Sequence, residues 1–162
     1  MTILGIDPSL RVTGLVIAEE GKEKFSFKIK YLEEINTNKI KSLPTKLNFL
    51  FSSLEKIIKK FKPSVLIIEK IYSHYRHPTT IASLAQVKGI ILLLAARKNL
   101  NLVEFSSTEV KKAITSYGCA SKDQVRKMVA YLSKLEKPLK SEHISDALAL
   151  ILTYLYHKKN DF

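Results

Sequence analysis

The stretch ILGIDPSLRVTG, residues 3–14, decides how this chain is read. Ile3, Leu4, Gly5 and Ile6 make a short apolar run that ends on an acid, Asp7, followed by a turn through Arg11 and a second apolar run. A strand that stops on a carboxylate places a charge beside low-dielectric core, where an isolated charge is costly and needs a partner. The shape recurs at VLIIE, residues 65–69. This continuous β-branched and leucine run suits a parallel strand covered on both faces, and it ends on Glu69. Neither strand end has an adjacent arginine, although Lys70 follows Glu69. Taken singly, each acid also reads as a surface carboxylate in a turn.

The rest of the chain arranges itself around these two segments. Residues 2–7 and 13–18 read as strands, and 24–36 as a third, half-exposed one, because Phe25, Phe27, Ile29 and Tyr31 alternate. Leu47, Leu50, Phe51, Leu54, Ile57, Ile58 and Phe61 recur at helical spacing on one face, up to Pro63. Residues 71–78 form a polar-aromatic loop, 79–99 a long helix and 101–105 a fifth strand. Ser106 to Thr108, with Glu109 in the first turn, open another helix. Helices are expected over 121–134 and, past Pro138, over 141–156. The order β-β-β-α-β-α-β-α-α-α predicts an α/β fold: a mixed five-stranded sheet, antiparallel first and then parallel, with helices on both faces. There is no internal repeat or linker, and one domain over residues 1–162 is expected.

The last helix holds an acid in an odd place. Asp146 sits amid Ile144, Ala147, Leu148 and Ile151; His143 is three residues earlier and Glu142 four, so all share a face. Singly, His143 reads as a solvent-facing residue of the first turn, and Asp146 as an acid favoured near a helix N-terminus. Together with Asp7 and Glu69 they suggest a cluster of like charges that would repel itself without cations. Oxygen-rich ligands suit Mg²⁺ or Mn²⁺. Two such ions about 3.5–4 Å apart activate water and stabilise the leaving oxygen in phosphodiester cleavage.

Composition is consistent with a nucleic-acid substrate. Lys and Arg number 27 against 15 Asp and Glu, a net charge of +12, which draws polyanions. The lone Cys119 rules out an internal disulfide and suits a reducing cytosol. The N-terminus lacks a basic stretch followed by an apolar run. The longest apolar run, 89–96, falls short of the roughly 20 residues a bilayer requires. A soluble cytoplasmic protein is expected.

Four blocks of the sequence resemble one family. ILGIDPSLRVTG resembles the opening of the RuvC junction resolvases, with the acid at Asp7 and the closing glycine at Gly14. LIIEKIY resembles the second block, with Glu69 and an aromatic at Tyr72. EVKKAITSYGCASKDQV is similar to the family's basic stretch and places Lys111 and Lys122; HISDALAL is similar to the last block and places His143 and Asp146. The blocks occur in the family's order and cover nearly the whole chain. Ser9 stands where the family often has glycine, and the position of His143 carries Asp in some members and His in others.

The resemblance implies a ribonuclease-H-like fold and a homodimer that resolves four-way (Holliday) DNA junctions during recombination and repair. Each subunit would nick one of two strands of like polarity, leaving 5′-phosphate ends. Asp7, Glu69, His143 and Asp146 would be catalytic and hold Mg²⁺, with Mn²⁺ as a substitute and two ions per site. His143 would act as a ligand or as a general base. Lys111, Lys122, Arg76 and Tyr72 would contact DNA, Tyr72 by stacking on a base. The helix over 79–99, apolar on more than one side, is the candidate dimer surface. A branch-migration helicase of the RuvA–RuvB type would be the cellular partner.

Three rivals remain open. A ribonuclease-H-like nuclease of ribosomal RNA maturation would use the same acids on structured RNA. An actin-like or sugar-kinase ATPase would need a second phosphate motif and a second domain, for which 162 residues and five glycines are too few. A non-catalytic DNA-binding module would explain the charge but not four placed ligands.

Overall fold

The computed structural model describes residues 1–23, 25–71 and 78–160, with Pro78, Lys159 and Asn160 described by backbone only. Five strands form one sheet: β1 (Thr2–Asp7), β2 (Val12–Glu20), β3 (Phe27–Asn36), β4 (Val65–Glu69) and β5 (Asn101–Phe105). Their order across the sheet is β3-β2-β1-β4-β5. The β1–β2 and β2–β3 pairs are antiparallel; β1–β4 and β4–β5 are parallel. The central β1 thus lies beside β4, and Ile6 pairs with Ile68, so Asp7 and Glu69 leave the sheet side by side.

Side chains that alternate along each strand sort into two cores. On one face Leu4, Ile6, Leu15, Ile17, Leu66 and Ile68 meet Leu50 and Leu54 of α1 (Leu43–Phe61) and Ile91 and Leu94 of α2 (Pro78–Arg97). On the other, Ile3, Val16, Val65 and Ile67 meet α3 (Ser107–Thr115), α4 (Lys122–Leu132) and α5 (Glu142–Asn160) through residues such as Ile114, Val129, Leu148 and Ile151. Coverage on both faces explains why β1 and β4 read as unbroken apolar runs. β3 has the sheet's free edge on one side, and its first eight residues alternate half-buried and exposed.

The element order is the expected one, and the differences lie at the ends. Helix α1 starts at Leu43, before its first buried position, because Pro44 presets the first turn. It stops at Lys62, which adopts φ 47° and donates its N–H to the Ile58 carbonyl. Ser106 and Ser121 cap α3 and α4 in reciprocal pairs with Glu109 and Gln124.

Helix α2 is more apolar than its longest continuous run suggested. Residues Thr79–Arg97 have a mean hydropathy of 1.7, long and apolar enough by length and composition to cross a membrane. Ile81, Leu84 and Val87, set apart by polar and small residues, extend the apolar character beyond the continuous run at 89–96. Only 22% of the segment is buried. Ile91 and Leu94 point into the core, whereas Leu93 is 52% exposed.

Candidate active site

Two glycines allow α5 to lie directly on the sheet. A Cβ at Gly5 would stand 2.4 Å from the Ala147 carbonyl oxygen, and one at Gly14 would stand 2.3–2.6 Å from the backbone and Cβ of His143. Because neither strand carries a side chain there, the first turns of α5 settle over the ends of β1 and β2. Ser141 anchors that end of the helix: its hydroxyl accepts from the Ile144 N–H (3.0 Å) and donates to Glu34 of β3. Arg126 of α4 donates to the Leu139 carbonyl (2.9 Å) and to Glu142 (3.3 Å), fastening the segment that leads into α5.

The result is a cleft of about 380 Å³ lined by Asp7, Glu69, His143 and Asp146 together. His143 and Asp7 share a hydrogen bond, Nδ1 to Oδ2, of 2.6 Å. An ionised carboxylate can only accept, so with Asp7 charged the proton of this bond sits on Nδ1, and in the neutral imidazole Nε2 then carries the lone pair. Burial raises the Asp7 carboxyl above its ordinary range despite the opposing pull of His143. Burial pushes Glu69 up to about 7, helped by the charges of Asp7 and Asp146. Asp146 rises to about 6, by burial first and then by the charge of Asp7. Asp7 raises both of the other acids and Asp146 raises Glu69, so the cluster is short of positive charge.

That shortage favours a divalent cation, and three carboxylates with one imidazole suit Mg²⁺ or Mn²⁺. Among the described residues, however, no three His, Cys, Asp or Glu side chains are set to grip an ion as they stand. The Asp7–His143 contact gives a reason, since it ties up a carboxylate oxygen that a cation would use.

Lys111 and Lys122 also line the cleft and lower the pKa of Glu69, so both lysines face the acids. Tyr72 and Arg76 lie outside the described residues. Sequence reasoning missed the roles of Arg126, Ser141 and Glu34. Ser141 sits where an N-cap is expected, which is a legible signal. Nothing local marks Arg126, whose partners are 13 and 16 residues away.

A family model for crossover junction endodeoxyribonuclease RuvC matches residues 3–154. The chain belongs to the RuvC family. It is 32% identical over 155 residues to crossover junction endodeoxyribonuclease RuvC of Fusobacterium nucleatum, covering 96% of this chain and 80% of that protein. It is 37% identical over 158 residues to RuvC of Prochlorococcus marinus, covering 96% of each. Thermus thermophilus RuvC, solved in complex with Holliday junction substrate, superposes with a TM-score of 0.90 at 22% identity, covering 99% of this chain and 96% of that one. At that identity the likeness shows the fold, which is the ribonuclease-H-like one of the RuvC resolvases.

Proposed function

We propose that this RuvC-family chain is a structure-selective endonuclease that resolves four-way DNA junctions by paired nicking of two strands of like polarity. The observation that carries the reading is the meeting of Asp7, Glu69, Asp146 and His143 in one cleft flanked by Lys111 and Lys122, in a chain that belongs to this family. RuvC-family nucleases are metal-dependent; here the ion is Mg²⁺, with Mn²⁺ as a substitute, and two ions serve each site. Asp7, Glu69 and Asp146, joined by His143 if it ligates, would hold the cations, which when bound would supply charge to the scissile phosphate and acidify water.

The chain's own residues do the remainder. Lys111 and Lys122 hold the phosphates of the strand across the acidic floor. His143, its Nδ1 tied to Asp7, either ligates the cation through Nε2 or takes there the proton of the attacking water. The water oxygen bonds to phosphorus and the P–O3′ bond breaks. The leaving oxygen gains a proton, giving a 3′-hydroxyl and a 5′-phosphate. Tyr72 stacks on a base and Arg76 contacts the DNA.

The working form is a homodimer of single-domain subunits paired through α2. Ala82, Ala85, Gly89, Leu92 and Ala96 are all exposed and recur in steps of three and four residues, the spacing of one helix stripe. The residues are mostly small, and a Cβ at Gly89 would meet nothing within 4 Å, so a second α2 fits closely against this face. That partner would cover the apolar surface that α2 otherwise presents to water. The protein acts in the cytoplasm with a branch-migration helicase of the RuvA–RuvB type. The relatives above are named as crossover junction nucleases, and none of them supports structured RNA as the substrate.

The deciding experiment is a nicking assay on synthetic four-way DNA junctions and on structured RNA, with Mg²⁺ or with EDTA. The reading requires symmetric nicks in the DNA junction only, and only with metal. RNA cleavage at equal or greater rate would overturn it.

A further inference from the structure

The turn at residues 8–11 separates two depressions of opposite character. Ser9 lines the acidic cleft, and Leu10, the next residue, lines a groove between the first turns of α1 and α2. That groove also contains Lys41, Lys46, Thr79, Ser83 and Gln86 and no acid. Arg11 and Lys39 are exposed on adjoining turns. Buried Thr37 fixes this arrangement, because its N–H donates to the Arg11 carbonyl (2.9 Å) and its hydroxyl to the Leu10 carbonyl. The Ile40 N–H in turn donates to the Thr37 carbonyl (3.0 Å), so the segment presenting Lys39 and Lys41 is pinned against the segment presenting Arg11.

The charge here is uncompensated. The sequence from Asn36 to Leu54 contains no Asp or Glu. The nearest acids upstream are already engaged: Glu33 accepts from the Tyr31 hydroxyl (2.8 Å) and Glu34 from Ser141. Some lysines elsewhere find carboxylates, as Lys59 and Lys98 do at Glu55, Lys127 at Asp123 and Lys158 at Glu20. Among the described residues, Arg11, Lys39, Lys41 and Lys46 form no ion pair. The α2 side of the groove adds no acid either, since residues 70–103 contain no Asp or Glu.

We propose that this groove is a second phosphate track, holding the sugar-phosphate backbone of the DNA arm that leaves the cleavage cleft. The inference rests on the junction-nuclease reading. Lys111 and Lys122 grip the backbone on one side of the acids, and Arg11, Lys39, Lys41 and Lys46 grip it on the other. The hydroxyl of Thr79 and the amide of Gln86 give neutral donors for phosphate oxygens. Such contacts set the register of the strand over the acids and carry no base information.

The test compares Lys41→Ala/Lys46→Ala with Lys22→Ala/Lys56→Ala. The control removes the same charge at the turn after β2 and toward the far end of α1. Affinity for a synthetic four-way junction is measured against salt concentration without divalent metal. The slope of log affinity against log salt should flatten by about 2 in the groove variant, roughly 0.9 for each phosphate no longer neutralised, and stay near wild type in the control. Shortening the junction arms should weaken wild-type binding while leaving the groove variant little changed. Equal slopes in the groove variant and the control overturn the track, as does an arm-length effect that the variant retains in full. Nicking by the wild type with Mg²⁺ separates the two readings: if the wild type nicks junctions and the slopes match, the track alone fails. If the wild type nicks no junction, the functional reading fails and takes this inference with it.

Discussion

Asp7, Glu69 and Asp146 stand in one cleft, where the charge of Asp7 raises the pKa of the other two. Asp7→Asn, Glu69→Gln and Asp146→Asn preserve shape and remove charge, so each should cut junction nicking by more than roughly 100-fold while binding persists. Gel-shift and nicking assays on one junction read both quantities, and near-normal nicking by a variant would remove that residue from the site. His143 is separable by metal. If it ligates, His143→Ala should be slow yet partly restored by Mn²⁺, and His143→Asp should keep substantial activity; if it is a base, Mn²⁺ should give little rescue. Gly14→Ala probes the support beneath His143. Its methyl would collide with the His143 backbone, overpacking at a cost of about 1–3 kcal/mol. The melting temperature should fall by roughly 2–10 °C, with nicking reduced more than binding. The acids were legible because each interrupts an apolar pattern. Arg126 was not, because its value lies in distant partners that only the folded chain brings near.

Strand runs and helical spacing were enough to place every element, since burial on one or both faces leaves its period in the sequence. The start of α1 escaped because its first turn, LPTK, buries nothing and carries no period. The groove between α1 and α2 was equally hidden: Lys41 looks like an ordinary solvated residue until Thr37 ties its segment to Leu10 and Arg11. The convergence of α5 on β1 was read from its misplaced acids and reinforced by family resemblance, whereas the two glycines that permit it leave no periodic trace. The exposed stripe of α2 supports a prediction of its own. Ala85→Glu/Leu92→Glu puts like charges where two copies of the helix would meet. Sedimentation should then show a monomer at micromolar concentration. Junctions should be nicked on single strands without the paired cut, and a variant that stays dimeric would move the interface elsewhere.

At the scale of the whole molecule, acid load and metal are linked. The native state raises the carboxyls of Asp7, Glu69 and Asp146 above their ordinary range, so between about pH 4 and pH 7 it holds more protons than the unfolded chain. Stability without metal must therefore fall as pH rises through that window. A cation prefers the ionised cluster, so Mg²⁺ should stabilise the protein little near pH 4 and most above pH 7. Melting curves in EDTA and in Mg²⁺ across this range test the linkage, and parallel curves would refute it. A different liability follows from β3, whose outer side is a free edge ten residues long. Such an edge is a template on which another chain can add a strand. Lys28, Lys30 and Glu34 stand exposed along it. A strand docking there would have to pack against ionised groups, so the charge that makes this protein basic also guards its edge against aggregation.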